Sequence, residues 1–231
     1  MNKSKKHQTI LMAVTALLIA SFACSFSPSA TATPAPAATT EVKVEAPAET
    51  SPACGVFDSI PASAEYNTAP ELLIDTTSNY FANVKMANGG EFKIALYADK
   101  APITVNSFVF LACKGFFNGI TYHRVLDGFM AQGGDPTGSG MGGPGYEFIN
   151  EDSDLTFDKA GVLAMANAGR DTNGSQFFIT FAPADFLNGG YTIFGQVVSG
   201  MDVVNNITRR DPEQSPSFIG DAMESVTITI E

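Results

Sequence analysis

The chain has 231 residues, of which 45% are hydrophobic and 16% charged, a composition that supports a packed core and excludes disorder throughout. Its net charge is −11, and it has no basic stripe, so it is expected to repel phosphate backbones rather than bind nucleic acid. Of its two histidines, His7 lies near the N-terminus, and only His123 remains for the body of the chain, which excludes a His-rich metal site.

Residues 1–23 predict an export signal. Lysines precede an apolar run over residues 10–20, and small residues lead to Cys24. The run is shorter than the roughly 20 apolar residues of a membrane span, so an uncleaved anchor is the weaker alternative. The residues before Cys24 resemble a bacterial lipoprotein cleavage site, with departures at Ser21 and Phe22, and they also fit ordinary signal-peptidase cleavage. We expect an exported protein of the cell envelope, held at a membrane by a lipid on Cys24.

Residues 24–71 predict a disordered tether. The stretch is rich in Ala, Pro, Thr and Ser and has few large apolar groups, so it is not expected to form a core of its own. Without a lipid on Cys24 it would be a plain spacer. Cys54 near its end and Cys113 further along can pair in an oxidising compartment or remain thiols, and the sequence leaves both alternatives open.

Residues 72–231 predict one folded domain made mostly of short strands. Alternating apolar residues over 82–86 and 92–96, around an Asn-Gly-Gly turn, predict a hairpin, and the apolar spacing over 105–112 predicts a helix that begins near Pro102. The remaining predicted elements are strands over Thr121–Val125, Phe129–Gln132, Val162–Met165, Phe177–Thr180, Ile193–Val198 and Ser225–Ile230, and a second helix over Met201–Ile207. This pattern is typical of a closed antiparallel barrel.

Three stretches carry most of the chemical information. They are YHRVLDGFMAQGGDPTGSGMGGPGYEF, from Tyr122 to Phe148, GVLAMANAGRDTNGSQFFIT, from Gly161 to Thr180, and FLNGGYTIFGQVVSGMDVV, from Phe186 to Val204. The glycine-rich part of the first opens no helix and has no lysine, so it does not fit a phosphate-binding loop. His123 is interpreted as a structural residue, and Arg124 is the one basic residue within an apolar and aromatic segment.

These residue types suit rotation about a peptide bond that precedes proline. Its barrier of roughly 18–20 kcal/mol comes from the double-bond character of the C–N bond. In the twisted state the prolyl nitrogen regains a lone pair, which the guanidinium of an arginine can stabilise selectively. Apolar side chains can hold the proline ring and amide side chains the flanking backbone, although some of these aromatic residues belong to the core. No metal or organic cofactor is needed.

Together the three stretches resemble the cyclophilin family of peptidyl-prolyl isomerases over roughly residues 78–231. The resemblance implies a mostly β, closed antiparallel eight-stranded barrel with two helices. It also implies a monomeric isomerase that acts on proline-containing polypeptides and assists the folding of exported proteins. The residues implied as catalytic are Arg124, Phe129 and Gln132. Those implied as substrate-binding are Met130, Ala166, Asn167, Gln176, Phe178, Phe186, Leu187 and Tyr191.

Three positions depart from the common pattern of that family. Phe186 stands where a Trp often occurs and Tyr191 where a His often occurs, which argues against tight binding of cyclosporin-type inhibitors but not against activity. Arg170 replaces a common Pro and adds a positive charge near the groove. A binding module that holds proline-containing segments without turnover is the alternative function, and the presence of Arg124 favours the enzyme.

Overall fold

The computed structural model describes residues 51–231. The predicted export signal, Cys24 and most of the predicted tether lie outside these residues. The described part contains two α-helices, α1 over Pro102–Cys113 and α2 over Met201–Asn205. Its strands are β1 Tyr80–Met86, β2 Glu91–Leu96, β3 Arg124–Leu126, β4 Met130–Gly133, β5 Val162–Met165, β6 Phe177–Thr180, β7 Ile193–Ser199 and β8 Met223–Ile230. These elements agree closely with the predicted ones.

The strands form one eight-stranded antiparallel sheet in the order β3-β4-β6-β5-β7-β2-β1-β8. The sheet is an open half-barrel, so the prediction of a closed barrel is wrong. β3 does not pair with β8, because Arg210 occupies the outer edge of β3. Arg210 exchanges two backbone hydrogen bonds there with Val125. The start of the strand predicted from Thr121 instead forms an isolated bridge to Ala222, next to β8.

Helix α1 lies against the sheet and is buried from Thr104 to Ala112. Pro102 stands in its first turn, where a missing backbone N–H costs nothing. The free N–H groups of Ile103 and Thr104 donate to the carboxylate of Glu151, at 2.9 and 2.8 Å, which caps the helix from a distant loop. The cap therefore ties the helix to the segment that follows the glycine-rich stretch.

The short strands β4, β5 and β6 carry apolar side chains on both faces. One face, with Ala131, Leu163 and Ile179, belongs to the main core under α1. The other face, with Met130 and Phe178, belongs to a smaller apolar cluster. Since side chains alternate between faces along a strand, neighbouring residues of these strands serve different clusters. The smaller cluster builds the site described below.

Folded structure begins earlier than residue 72, the boundary expected from composition. Within residues 51–70, which we call the strap, Phe57 is fully buried against Phe110 of α1, with ring centroids 5.4 Å apart. Cys54 forms a disulfide with Cys113, the last residue of α1. A few apolar side chains spaced among prolines and serines are enough to dock the strap, and an average over composition does not detect them.

Candidate active site

The register of the strands places three predicted site residues in one row. Arg124 on β3 pairs with Gln132 on β4, and Gln132 pairs with Phe178 on β6. Paired residues share a face of the sheet, and strands lie about 4.8 Å apart, so the backbones of Arg124 and Phe178 are about 10 Å apart. An extended arginine side chain can cover much of that distance. A guanidinium, a carboxamide and an aromatic ring therefore face the same surface.

An apolar cluster of side chains, which we call the apolar pocket, lies beside this row. Met130 and Phe178 form its floor and are 2% and 5% exposed. Phe129, Leu187 and Tyr191 are half-buried around them and pack against the same cluster. The ring of Tyr191 meets that of Phe178 edge-on, with centroids 5.5 Å apart. The buried members thus form an apolar floor and the half-buried ones a partly exposed rim, an arrangement that suits an apolar ring.

Phe186 stands at the outer edge of this pocket. It lies in a 3₁₀ turn over Asp185–Leu187 and is 77% exposed. Its ring contacts that of Phe129, with centroids 5.5 Å apart. The position where the family often has a larger Trp therefore still presents an aromatic face to solvent, next to the pocket rather than within its buried floor.

Two of the predicted amide side chains, Gln132 and Gln176, form a hydrogen-bonded network, and Asn167 bonds separately. The Nε2 of Gln132 donates to the Oε1 of Gln176 at 2.9 Å. The Nε2 of Gln176 in turn donates to the carbonyl oxygens of Gly140 and Gly142, at 3.1 and 2.9 Å. The Nδ2 of Asn167 donates to the carbonyl of Gly190 at 3.3 Å. The network fixes the orientation of Gln132 and Gln176 against the glycine-rich stretch.

A second cavity adjoins this network. Its volume is about 660 Å³, and one of its walls is the glycine-rich loop, residues 134–145. The opposite wall contains all four residues that were expected to contact the substrate backbone: Gln132, Ala166, Asn167 and Gln176. Gln132 lines this cavity and pairs in register with Phe178 of the apolar pocket, so the two meet at Gln132, and together we call them the groove.

Asp135, which the sequence analysis did not single out, organises the glycine-rich loop. Its carboxylate is 1% exposed and accepts hydrogen bonds from the backbone N–H groups of Thr137 and Gly140, at 2.7 and 2.5 Å. Burial alone would raise the pKa of Asp135, but these hydrogen bonds outweigh it and the pKa is lowered. An Asp just before a Pro-Thr-Gly turn was the only sequence signal for this role.

Phe157 is a second residue that the sequence analysis missed. It is fully buried beneath the pocket and stacks on Phe178, with centroids 5.8 Å apart and planes 15° apart. Its backbone N–H donates to the Oδ1 of Asn188 at 2.9 Å. Phe157 lies in an acidic loop without strand or helix periodicity, so no pattern in the sequence pointed to it.

The guanidinium of Arg124 is half-buried and has no hydrogen bond or ion pair to any residue of the described range 51–231. Other arginines are engaged: Arg170 pairs with Asp152, at 2.5 Å, and Arg209 pairs with Asp127, at 3.0 Å. The Arg170–Asp152 pair neutralises the charge that Arg170 was expected to add near the groove. Among these three arginines, Arg124 alone has no such partner within the described residues.

His123 is buried, in agreement with its interpretation as structural. It is 2% exposed, and its two ring nitrogens have no hydrogen-bond partner among the described residues. Burial lowers its pKa, the charge of Asp135 opposes that change, and Arg210 and Arg124 add to it. Within residues 51–231, no group of three His, Cys, Asp or Glu side chains is placed to hold a metal ion.

Comparison with known proteins agrees with this arrangement. The family model described as "Cyclophilin type peptidyl-prolyl cis-trans isomerase/CLD" matches residues 81–229. The chain is 51% identical over 122 residues to human peptidyl-prolyl cis-trans isomerase-like 1, covering 51% of this chain and 74% of that protein. It is 46% identical over 127 residues to peptidyl-prolyl cis-trans isomerase B of Bacillus subtilis, covering 54% and 89%.

A solved structure leads to the same family. The crystal structure of a cyclophilin type peptidyl-prolyl cis-trans isomerase of Cryptosporidium parvum matches with a TM-score of 0.59 and 32% identity, covering 66% of this chain and 98% of that one. A second crystal structure of that protein was determined in the presence of the dipeptide Ala-Pro, with a TM-score of 0.58. This chain belongs to the cyclophilin-type family of peptidyl-prolyl cis-trans isomerases, and its function is the isomerisation of peptide bonds that precede proline.

Proposed function

We propose that Arg124 is the catalytic donor of this isomerase. The observation that carries the proposal is that the guanidinium of Arg124 has no hydrogen bond or ion pair within residues 51–231. Arg124 also pairs in register with Gln132 and lies beside the apolar pocket. A donor that reaches the prolyl nitrogen favours the twisted amide, in which that nitrogen has a lone pair, over either planar form. Gln132 holds the substrate backbone next to the reacting bond, and Phe129 closes the pocket from the side.

The proline ring enters the apolar pocket over Met130 and Phe178, between Leu187 and Tyr191. Burial of the ring supplies binding energy that does not depend on the isomeric state. Ala166, Asn167 and Gln176 contact the substrate chain along the second cavity, and Phe186 covers the outer edge of the ring. Proline-containing polypeptides are the substrates in this proposal, and the neighbouring structure with Ala-Pro supports it.

Replacement of Arg124 tests the assignment. We expect Arg124→Ala to lower the rate of isomerisation of a chromogenic proline tetrapeptide by about 10²–10³-fold, the usual effect of removing a donor to a developing charge. Arg124→Lys keeps the charge but loses the planar fork of donors, and we expect an intermediate rate. Arg170→Ala, which removes an exposed arginine paired with Asp152, is the control.

Equal rates for wild type and Arg124→Ala would disprove the role of Arg124. A wild-type protein that binds the peptide without accelerating isomerisation would support the binding-module alternative instead. The full chain is used in each case, because the strap belongs to the folded part.

We further propose that the protein is exported, is anchored in the cell envelope by a lipid on Cys24, and assists the folding of exported clients as a monomer. The basic and apolar residues before Cys24 support export. The intact mass of the protein purified from its own cells tests the anchor: an N-terminus at Cys24 with added diacylglyceryl mass is expected. A mature N-terminus at Cys24 without that mass would contradict the lipid anchor.

A further inference from the structure

The strap reaches from the disulfide at the end of α1 to the glycine-rich loop of the groove. Next to the disulfide, the Nζ of Lys114 donates to the carbonyl of Phe57 at 2.6 Å. Further along, the ring of Tyr66 packs edge-on against Phe110 of α1, with centroids 4.8 Å apart. The strap is therefore held at several points along one side of α1.

The far end of the strap lies directly on the glycine-rich loop. The backbone N–H of Tyr66 donates to the carbonyl of Pro144 at 2.7 Å. Gly145 has a φ of +92°, and a Cβ at this position would lie 2.5 Å from the carbonyl oxygen of Tyr66. Only a glycine permits so close an approach of the two backbones. Pro144 and Gly145 also line the second cavity, so the strap supports that cavity wall from outside.

The glycine-rich loop depends on such outside contacts. Glycines lose more conformational freedom on ordering than other residues, and this loop contains several with positive φ, including Gly138, Gly140 and Gly145. Gln176 and Asp135 hold the loop near Gly140. The Pro144–Gly145 end is held through Tyr66 and through the neighbouring Tyr146, whose hydroxyl bonds to that of Ser107 in α1 at 2.9 Å.

We propose that the strap, fixed by the Cys54–Cys113 disulfide, positions the glycine-rich loop through Tyr66 and so sets the affinity for substrate segments that reach the second cavity. Tyr66 acts through the loop and does not touch the reacting bond, so it is a positioning residue. The effect is confined to the second cavity, because the apolar pocket is built on the sheet and has no contact with the strap. This inference rests on the proposed use of the groove by proline-containing chains.

The experiment compares a short and a long peptide. Binding of Ala-Pro, which is small enough to occupy the apolar pocket alone, and of a hexapeptide with Ala-Pro at its centre is measured by NMR titration of the full chain. In Cys54→Ser/Cys113→Ser, we expect the affinity for the hexapeptide to fall about fivefold while that for Ala-Pro changes less than about twofold.

A second variant leaves the disulfide in place. Gly145→Ala forces the loop away from Tyr66, so the same selective loss for the hexapeptide is expected, and it decides the question alone if the double serine variant does not fold. In the serine background, Gly145→Ala should add little, because both changes release the same contact. Gly55→Ala is the control, since a Cβ at Gly55 meets no atom within 4 Å.

An unchanged hexapeptide affinity in the folded variants would overturn the proposal. Equal losses for both peptides would also overturn it, because they would indicate a general loosening of the domain. Additive effects of Gly145→Ala and the serine pair would overturn it as well, because they would show that the two changes release different contacts. Affinity is measured at equilibrium between the isomers and does not depend on the rate of isomerisation, so the assignment of Arg124 can fail while this inference stands, and the converse also holds.

Discussion

Arg124 combines two properties that rarely occur together in an acidic protein. It is half-buried at the start of β3, and none of the carboxylates of the described chain pairs with it. A carboxylate beside it would compete with the prolyl nitrogen for the same donors and would lower the electrostatic stabilisation of the twisted amide. The ion pairs of Arg170 and Arg209 lie at other places on the surface, so the acidic character of the chain does not extend to this donor.

Activity is expected to vary little between about pH 6.5 and 8. The proposed rotation transfers no proton to or from a side chain, and the amides of Gln132 and Gln176 have no ionisable group. His123, with its lowered pKa, stays neutral there as well. A pH profile of kcat/KM on the proline tetrapeptide checks this. A bell-shaped curve with a maximum near neutrality would contradict the mechanism and would indicate an acid or base in the groove.

Stability, by contrast, is expected to fall on mild acidification because of His123. Its pKa is lowered in the folded protein, so below the ordinary value near 6.5 the unfolded chain binds the proton more readily. The free energy of unfolding is therefore highest near neutral pH, as far as His123 is concerned. It decreases as the pH falls below about 6.5, by at most about 1.4 kcal/mol per pH unit. Urea unfolding between pH 7 and 5 checks this, with His123→Gln expected to show a flatter dependence.

At the scale of elements, β4 and β6 explain why the site could be predicted only in part. Their residues alternate between the main core and the smaller cluster, so Phe177 is a core residue while its neighbour Phe178 forms the pocket floor. Both are apolar and buried, so composition does not distinguish them. Period-2 alternation predicts that they face opposite ways, but which face is the core depends on the position of α1, a long-range contact.

Gly195 on β7 lies close against the neighbouring strands β2 and β5. A Cβ there would lie 2.6 Å from the carbonyl oxygen of Ala95 on β2 and 3.2 Å from a side-chain atom of Leu163 on β5. We expect Gly195→Ala to lower the free energy of unfolding by about 1–3 kcal/mol, because the backbone must shift to relieve the overlap.

Chemical denaturation of Gly195→Ala measures this effect. The matched control is Gly143→Ala, where an added Cβ meets no atom within 4 Å. Equal stabilities of the two variants would show that the sheet can open at Gly195 without strain.

At the scale of the whole molecule, the strap adds a further layer of packing on α1. The half-barrel leaves α1 covering one side of the core, and the strap covers part of the outer side of α1 through Phe57 and Tyr66. Neither helix of the described residues is long and apolar enough to cross a membrane. Besides the polypeptide backbone itself, the disulfide is the one covalent link within 51–231 between the strap and the rest of the domain.

Removal of this disulfide is expected to destabilise the domain. Cys54 and Cys113 are 59 positions apart, and closing a loop of that length removes enough entropy from the unfolded chain to stabilise the fold by about 4 kcal/mol. Thermal unfolding of Cys54→Ser/Cys113→Ser should show a lower Tm than wild type. The wild-type protein under a reducing agent should approach the same value. Identical Tm values with and without the reductant would indicate that the link contributes nothing.

The sequence by itself determined the family and most strand positions, and it predicted which residues form the groove. These features follow from local spacing, because the alternation of apolar and polar residues, the turn residues and the order of the motifs can all be observed in neighbouring positions of the chain. Arg124, Gln132 and Phe178 could be named without coordinates for this reason, and the export signal stays a prediction from the same kind of pattern.

Only the tertiary structure decided that the sheet is open, that the strap is part of the domain, and that Asp135 and Phe157 support the groove. Each depends on contacts between distant residues: Arg210 with the edge of β3, Cys54 with Cys113, and Phe157 with Phe178. Such contacts depend on how elements pack, and a local pattern does not encode which distant segment covers a strand edge or a ring. The residues that support the pocket floor and the loop wall are therefore found only from the structure, while the spacing of the motifs predicts the residues that face the groove.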